Sequence, residues 1–384
     1  MRIQIDFLDT DIAAALLPVF TMKPDLVYYF CDKRRIRTSA ANHVAAAIHG
    51  RLPVTQVQFI HVKLDNMREI RSRMQKVMDE SAGNEIYVDL TGGEELMIAC
   101  GYIMAVEKGA VPITVDMKTE KIIHVVSGKA LARVEHLKLT DYLTACGAKR
   151  LMPSHQMPLP AEYSRICAMA ELLFDRTRDW ENLCFFISKT ASEAPGIMEF
   201  SLTDAFRRKN RRAQELLDAF VSYGFLRKGG EDRYIFPNKR ARSYMTTYGI
   251  WLELYLYIRL QESFDEVSLG VVIDWNAGDE IDTVDNEIDV LVMRRSAPIF
   301  ISCKMTKPAA DDVYEVGYLA SRLGGVMGRG VIATTFNVAD TREFDMGIYQ
   351  RLKKMHVGVL EAQALKGANM AQKLAAALET ADNM

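Results

Sequence analysis

Regular alternation of strand and helix patterns in the N-terminal part constrains the fold of this chain more than any other feature. Parallel strands need long crossover connections, usually helices, so this alternation predicts an α/β fold with a mostly parallel, doubly wound sheet. A hairpin around Lys118–Glu120 and a short helix at Thr140–Cys146 are expected to close the domain, which we place at residues 1–148. The predicted strands are Ile3–Leu8, Leu26–Cys31, Val54–Val62, Glu85–Leu90 and Val111–Val115, and the predicted helices between them are Ile12–Phe20, Ser39–His49, Asp65–Asp79 and Glu94–Glu107.

The carboxyl ends of these strands form the candidate ligand site of the first domain. In doubly wound sheets, ligands lie beyond these ends, where the strand order reverses. Here the edge contains Asp9-Thr10-Asp11 after the first strand and Thr91-Gly92-Gly93 after the fourth. Paired glycines let backbone N–H groups approach a ligand, and the following helix presents its positive end to an anion. We therefore predict ligand binding by Thr10, Thr91, Gly92 and Gly93; the alternative is that the glycines serve turn geometry alone.

The middle of the chain predicts a winged-helix-like domain at residues 161–246, after a proline-containing linker at Lys149–Pro160. Helical patterns are followed by a predicted two-strand wing that turns at Gly229-Gly230. From Arg207 to Arg242 there are eleven Lys/Arg against four Asp/Glu. Such a basic patch is able to contact phosphates; the alternative is a solvated linking domain that binds no nucleic acid. The predicted helices are Ala161–Arg176, Leu202–Lys209 and Arg211–Tyr223.

A β-hairpin predicted at Asn286–Lys304 contains the candidate catalytic residues. Two apolar runs flank a polar turn at Arg294–Pro298. Because side chains two apart share a strand face, Glu287 points with Asp289, and Ser302 with Lys304. Charged groups are costly to bury unless they are paired or bind a metal, and clustered carboxylates suit Mg²⁺ or Mn²⁺. A structural Glu/Asp–Lys salt bridge at a strand edge is the alternative.

The elements around this hairpin predict a third α/β domain at residues 249–384. The order is helix, three strands, helix, strand, helix and strand, and Glu253 lies on the first helix. The spacing of Arg351 and His356 also matches the Arg-x4-His motif of HEPN ribonucleases, but those domains are all-helical whereas this region is predicted to be α/β. The predicted elements are Ile250–Glu262, Val267–Asp274, Glu287–Met293, Ile299–Cys303, Asp311–Leu323, Gly330–Thr334, Thr341–Lys354 and Val357–Leu360.

Size and composition are those of an ordinary soluble protein with two or three domains. Of 384 residues, 49% are apolar and 26% charged, and the net charge is −2. This charge does not indicate a polyanion partner for the whole molecule. No apolar run approaches the ~18 residues of a membrane span, and the acidic start does not resemble a signal peptide. Six scattered cysteines favour reduced thiols, and we expect a cytoplasmic protein without membrane contact.

Four short motifs in this order resemble two known families. The N-terminal part resembles a CARF (CRISPR-associated Rossmann fold) domain and the C-terminal part a PD-(D/E)xK restriction-endonuclease-like domain. Their combination looks like the CARF-fused nucleases that cyclic oligoadenylate activates in type III CRISPR antiviral defence. The motifs are Leu90-Thr-Gly-Gly93, Gly249-Ile-Trp-Leu-Glu253, Asn286-Glu-Ile-Asp289 and Ile301-Ser-Cys-Lys304.

The resemblance implies roles for individual residues. Asp289 matches the strand aspartate that binds the metal, Glu253 the helix glutamate, and Lys304 the lysine that positions or activates the attacking water. Ser302 stands where the family has its second acidic residue, so Glu287 is a candidate third metal ligand beside Glu253 and Asp289. The implied catalytic set is Glu253, Asp289, Ser302 and Lys304, with Mn²⁺ or Mg²⁺ as cofactor.

The resemblance also implies a cyclic oligoadenylate activator, foremost cyclic tetra-adenylate, a DNA or RNA substrate and a homodimer, because a symmetric ring suits a two-fold interface. Related CARF domains often continue after the glycines with a polar residue and a lysine, whereas Glu94 and Glu95 follow here. Two alternatives stay open. One is a ligand-gated nucleic-acid-binding regulator with an inactive nuclease fold, and the other is a ring nuclease that degrades cyclic oligoadenylate.

Overall fold

The computed structural model of the chain describes residues 1–34, 40–150, 156–193, 196–264, 266–274, 285–336, 346–367 and 369–383. Its N-terminal sheet has seven strands in the order β3-β2-β1-β4-β5-β6-β7. The first five strands pair in parallel and the last two pairings are antiparallel. The strands are β1 (Arg2–Phe7), β2 (Leu26–Cys31), β3 (Gln56–His61), β4 (Glu85–Asp89), β5 (Val111–Asp116), β6 (Lys121–His124) and β7 (Ala130–Arg133).

Several helix ends in this domain have recognisable capping chemistry. Asp11 caps the first helix, since its Oδ1 accepts hydrogen bonds from Ala13 N (2.9 Å) and Ala14 N (3.2 Å). Gly109, with φ of 68°, ends the fourth helix in the left-handed conformation that glycine adopts readily. The doubly wound α/β prediction is confirmed, whereas β7 was not predicted. The helices are α1 (Ile12–Met22), α2 (Ala40–Arg51), α3 (Met67–Glu80), α4 (Glu95–Lys108) and α5 (Leu139–Cys146).

The middle of the chain combines helices with a three-stranded sheet in the order β10-β11-β9. The two-strand wing at β10 and β11 agrees with the sequence prediction. Helix α7 was not predicted, although its buried residues Trp180, Leu183, Cys184 and Ile187 have helical spacing. The elements are α6 (Tyr163–Phe174), α7 (Thr177–Glu193), β9 (Glu199–Ser201), α8 (Asp204–Lys209), α9 (Ala213–Ser222), β10 (Arg227–Lys228), β11 (Arg233–Ile235) and α10 (Lys239–Thr246).

The C-terminal sheet has six strands in the order β16-β15-β14-β13-β12-β8. Its outer strand β8 (Lys149–Arg150) comes from the start of the predicted linker and pairs with β12. The first five residues of the predicted helix Thr341–Lys354 lie outside the described residues, as do residues 151–155 of the linker. The other elements are α11 (Ile250–Gln261), β12 (Glu266–Asp274), β13 (Asp285–Arg294), β14 (Ala297–Lys304), α12 (Ala310–Gly324), β15 (Arg329–Thr334), α13 (Met346–Lys354), β16 (Val357–Leu360), α14 (Ala362–Leu365) and α15 (Met370–Asn383).

One hydrophobic cluster joins the N-terminal and C-terminal sheets. It contains Leu16 and Val27 from the first domain together with Leu291, Phe300 and Leu323 from the last. All five side chains are almost completely buried. Burial of apolar surface at ~25 cal/mol per Å² makes a shared core of this kind a strong attachment between the two domains. Among the described residues, no helix is long and apolar enough to cross a membrane.

Candidate nuclease site and ligand cavity

The predicted catalytic hairpin consists of β13 and β14, which pair antiparallel from Arg294↔Ala297 to Val290↔Ile301. The turn is tighter than the sequence indicated, because only Arg295 and Ser296 separate the strands. Both residues have positive φ values, 49° and 70°. Two left-handed residues in succession are the geometry of a type I′ hairpin turn, which matches the twist of the strands.

The hairpin opens at Asp289. The carboxylate of this residue accepts a hydrogen bond from the backbone N–H of Cys303 at 2.6 Å. On the other side of β13, the register pairs Leu269 with Val290 and Val271 with Ile288. Gly270 therefore lies opposite Asp289, and its φ of 56° is one that glycine tolerates and other residues adopt at a cost. Burial raises the pKa of Asp289 to about 6 against the lowering effects of the Cys303 N–H and Lys304.

Glu253 approaches the same site from the first turn of α11. Its side chain is buried, with a residue exposure of 7%. Burial raises the pKa of Glu253 well above its usual range, and the charges of Asp289 and Glu287 raise it further, while Lys304 lowers it. Glu253, Asp289, Glu287 and Lys304 are therefore close enough for their charges to interact, and their catalytic roles stay a prediction.

Lys304 forms an ion pair that the sequence analysis missed. Its Nζ lies 2.9 Å from Oδ1 of Asp312, in the first turn of α12. Burial lowers the pKa of Lys304, but the hydrogen bond and charge of Asp312 outweigh this effect and the pKa lies above its usual range. Asp312 also accepts a hydrogen bond from Ala309 N (2.7 Å) and so caps the helix. No local signal distinguishes such an aspartate from an ordinary capping residue.

Ser302 lies in a small cavity between the hairpin and α12. The cavity has a volume of about 50 Å³ and is also lined by Glu287, Asp289, Lys304 and Glu315. Glu315 raises the pKa of Asp289 and of Lys304 through its charge. The helix therefore brings a further carboxylate beside Ser302, a residue that the sequence analysis did not single out.

The side chains at this site are of the type that binds divalent cations, but they do not form a complete set of metal ligands. Carboxylate oxygens are the ligands that Mg²⁺ and Mn²⁺ prefer, and the mutual repulsion of Glu253, Glu287 and Asp289 is what a cation would relieve. Among the described residues, however, no three histidine, cysteine or acidic side chains are arranged to hold a metal ion. The donor types fit, and binding would require the carboxylates to draw closer.

In the first domain, β1 and β4 are neighbouring strands. The loop after β1, which contains Thr10, therefore lies beside the loop after β4, which contains Thr91–Gly93. Gly93 N donates a hydrogen bond to Asp9 Oδ2 at 2.8 Å and joins the two loops. Packing requires both glycines: a Cβ at Gly92 would lie 2.7 Å from the Cβ of Ala14, and one at Gly93 would lie 2.5 Å from that of Phe7. The Thr91 hydroxyl bonds to Asp89 (2.7 Å) and to Val115 N (2.9 Å).

A cavity of about 940 Å³ opens beside these loops. Its described lining includes Thr10, but not Thr91, Gly92 or Gly93. Ligand contact at Thr10 is therefore consistent with the cavity, whereas ligand binding by Thr91, Gly92 and Gly93, which are not among its lining residues, stays a prediction. Glu94 and Glu95 are exposed at the start of α4 and do not belong to the described lining.

Part of the basic segment of the middle domain is paired within that domain. Arg207 Nη1 lies 2.6 Å from Asp232, and Arg240 Nε lies 2.9 Å from Glu162. Arg242 donates to two backbone carbonyls, those of Ala191 and Ile197. These contacts occupy only part of the patch, so both interpretations, a linking domain and a phosphate-binding surface, stay predictions. In the C-terminal domain, Arg351 donates to Tyr314 Oη (3.1 Å) and His356 Nδ1 bonds to Ala381 O (3.2 Å), so the HEPN-like spacing serves separate packing contacts.

The fold and the site resemble those of a class of proteins in which a CARF-like domain is fused to an endonuclease-like domain. Comparison with known proteins supports this class. Residues 238–360 match the family model described as Card1-like, endonuclease domain. No curated protein sequence matches the chain significantly.

Solved structures with similar folds include the following three. Protein VC1899 from Vibrio cholerae is 16% identical with a TM-score of 0.82, over 99% of this chain and 98% of that chain. Can2 from Sulfobacillus thermosulfidooxidans, in complex with cyclic tetra-adenylate, is 16% identical with a TM-score of 0.73, over 98% and 99%. A type III CRISPR defence DNA nuclease activated by cyclic oligoadenylate is 17% identical with a TM-score of 0.54, over 86% of this chain and 45% of that chain. Together with the family-model match, these structures confirm the predicted resemblance to a CARF/nuclease fusion and its fold class, while the domain boundaries and residue roles stay predictions.

Proposed function

We propose that the protein is a metal-dependent endonuclease that cyclic oligoadenylate activates in CRISPR antiviral defence. The observation that supports this proposal best is the convergence of Glu253, Asp289 and Lys304 at the opened end of the β13–β14 hairpin. This hairpin lies within the segment that matches the endonuclease family model. A purely structural salt bridge would not need two further buried or half-buried carboxylates around the lysine.

Each residue of this site has its own role in the proposed hydrolysis of a phosphodiester. Asp289 and Glu253 would hold the divalent cation, with Glu287 beside them. The chemistry that Mg²⁺ or Mn²⁺ supplies at such a site is Lewis-acid polarisation of the scissile phosphodiester. Lys304, fixed by Asp312, directs its positive charge at the oxygens on which negative charge develops in the transition state. Ser302 provides a hydroxyl in place of a carboxylate, so a cation here would have fewer charged ligands, and we expect Mn²⁺ to be the better cofactor.

The activator site that we propose is the 940 Å³ cavity beside Thr10. Its volume lies at the upper end of the ~300–1,000 Å³ typical of small-molecule sites. The complex of Can2 with cyclic tetra-adenylate supports this ligand class, and tetra-adenylate is the first ring size to test. A symmetric ring favours a homodimer in which two copies of this edge face one ligand.

Nuclease activity is tested with purified protein, plasmid DNA and single-stranded DNA and RNA, with Mn²⁺ or Mg²⁺ and with cyclic oligoadenylates of several ring sizes. We expect cleavage that requires both the metal and one ring size. Asp289→Asn and Lys304→Ala should each lower the rate by at least ~10²-fold, because each group acts on the transition state or its cation.

The matched control is Lys307→Ala, which removes an exposed lysine three residues after Lys304. It should keep the wild-type rate. Full activity in both Asp289→Asn and Lys304→Ala would exclude this hairpin as the nuclease site. Cleavage of the cyclic oligoadenylate that survives Lys304→Ala would instead indicate a ring nuclease in the sensor domain.

A further inference from the structure

The sensor domain alone does not form the large ligand cavity. One side consists of sensor residues, among them Thr10 and His43. The other side consists of Ser321, Arg322, Gly325 and Val326, at and just beyond the C-terminal end of α12 in the nuclease domain. The two domains approach closely here, since a Cβ on Gly325 would lie 3.5 Å from Asp11 Oδ1.

On the sensor side of this cavity, the carboxylates of Asp9 and Asp11 already accept hydrogen bonds from backbone N–H groups. Asp9 accepts hydrogen bonds from Gly93 N (2.8 Å) and Asp11 N (2.6 Å). Asp11 accepts from Ala13 N (2.9 Å) and Ala14 N (3.2 Å) as the cap of α1. These backbone donors hold the carboxylates in place and are not available to an anionic ligand.

Arg322 is the one permanent cation among the described residues that line the cavity. It is exposed, and its guanidinium lies 5.9 Å from the ring centroid of Tyr318 on the preceding turn of α12. Burial raises the pKa of Cys146 in the sensor domain to about 11, and the positive charge of Arg322 partly offsets this rise. The charge of Arg322 therefore acts across the cavity on the sensor side. A phosphodiester ring that enters this cavity meets its positive charge on the nuclease side.

We propose that Arg322 of the nuclease domain is a phosphate-binding residue of the sensor cavity, so that the activator is bound by both domains at once. This inference rests on the proposed function, because it takes the ligand to be a cyclic oligoadenylate. Arginine suits the role, since its planar guanidinium donates two parallel hydrogen bonds to a phosphate.

The position of Arg322 connects the ligand directly to the catalytic site. Helix α12 has 15 residues, with Asp312 in its first turn and Arg322 in its last. Asp312 holds Lys304 at 2.9 Å. A ligand that binds Arg322 therefore acts on the same rigid helix that positions the catalytic lysine, without an intermediate element.

Isothermal titration calorimetry with cyclic tetra-adenylate, and with the other ring sizes, tests this assignment. The variants are Arg322→Gln, Arg322→Lys and the control Arg351→Gln. The control is closely matched, because Arg351 also lies over an α12 tyrosine, 5.8 Å from the ring centroid of Tyr314, yet does not line the cavity. A thermal melt of each variant verifies folding.

We expect Arg322→Gln to raise the Kd at least ~10-fold, as for the loss of a charged hydrogen bond. Arg322→Lys should recover part of the affinity, and Arg351→Gln should bind as the wild type does. Affinity equal to wild type in Arg322→Gln would overturn this inference and leave the proposed function standing. A wild-type protein that binds no ring size would overturn the proposed function, and the inference with it.

Discussion

At the scale of single residues, two buried carboxyl groups in the sensor domain make stability depend on pH. Asp6 and Asp89 are completely buried on the adjacent strands β1 and β4. Burial raises the pKa of Asp6 well above its usual range, and the charge of Asp89 raises it further. Burial also raises the pKa of Asp89 to about 7, against the hydrogen bonds that Thr91 donates. Because the folded pKa values exceed the unfolded ones, the contribution to stability is complete below about pH 4 and is lost as the pH rises through about 7.

Asp6→Asn is therefore expected to stabilise the protein at pH 8 by on the order of 2 kcal/mol. The amide oxygen keeps the hydrogen bond from Phe7 N (2.8 Å). Gln4 Nε2 now donates to Asp6 Oδ2 (3.1 Å), so the Gln4 amide would have to turn over for its Oε1 to accept a hydrogen bond from the new N–H₂. Denaturant unfolding at pH 8 and pH 4 measures the effect. The gain should disappear at pH 4, where Asp6 is protonated; an equal gain at both pH values would show that charge is not the cause.

Asp312 is expected to act as a positioning residue for Lys304. Asp312→Asn retains an acceptor for the Ala309 N–H but removes the charge that holds the lysine. We expect kcat to fall about 10-fold with little change in KM, since the group affects the transition state alone. Asp312→Glu should restore part of the rate.

Asp311→Asn is the control for this prediction, because Asp311 is an exposed acid in the same first turn of α12. It should leave kcat unchanged. An equal fall in kcat in Asp311→Asn and Asp312→Asn would show that the negative charge at the start of α12, and not the ion pair with Lys304, controls the rate.

At the scale of elements, the tip of the catalytic hairpin is fixed to the sensor domain. Ser296 Oγ accepts a hydrogen bond from Leu137 N at 2.9 Å, and Tyr142 Oη donates to Ser296 O at 2.6 Å. Arg295 Nε lies 2.8 Å from Glu120 of the sensor domain. The hairpin thus has its candidate catalytic residues at one end and its attachment to the N-terminal domain at the other, so these contacts are a second connection to Asp289 beside helix α12.

Ser296→Ala should destabilise the protein by ~1–2 kcal/mol, because the buried Leu137 N–H loses its acceptor. The left-handed φ of 70° disfavours serine and alanine alike, so the change isolates the hydroxyl group. Denaturant unfolding measures the loss, with the exposed Ser222→Ala as control. Unchanged stability in Ser296→Ala would indicate that a water molecule replaces the hydroxyl and that the attachment is weak.

At the scale of the whole molecule, the sensor and nuclease domains share a hydrophobic core instead of being joined by a flexible linker alone. Leu16 and Val27 on one side pack in the same cluster as Leu291 and Leu323 on the other. Strand β8, which follows the sensor domain in the chain, is an edge strand of the nuclease sheet. This shared packing is a contiguous route for the coupling between ligand and active site that the proposed function requires.

Differential scanning calorimetry should accordingly show the sensor and nuclease domains unfolding in one transition. Cyclic tetra-adenylate at ~100 times its Kd should stabilise that transition by about 2.7 kcal/mol, because it binds the folded state alone. Two separate transitions, of which the ligand shifts only one, would show that the shared core does not couple the domains.

The sequence by itself determined the features that depend on neighbours along the chain. Alternating apolar runs predicted the doubly wound sheet, and the two-residue period of a strand placed Asp289 with Glu287 and Ser302 with Lys304. The motifs also indicated Glu253 as a candidate metal ligand, although it is 36 residues before Asp289 in the chain. Some helices, such as α7, had a readable spacing that the prediction overlooked.

Only the tertiary structure decided which side chains from distant segments meet. The Lys304–Asp312 ion pair, the place of Glu315 beside Ser302 and the position of Arg322 in the sensor cavity all depend on how α12 packs between the two sheets. It also assigned Gly92 and Gly93 to packing against Ala14 and Phe7. Periodicity records which face of an element is buried, but not which partner buries it, because apolar burial is non-directional and many partners satisfy the same pattern.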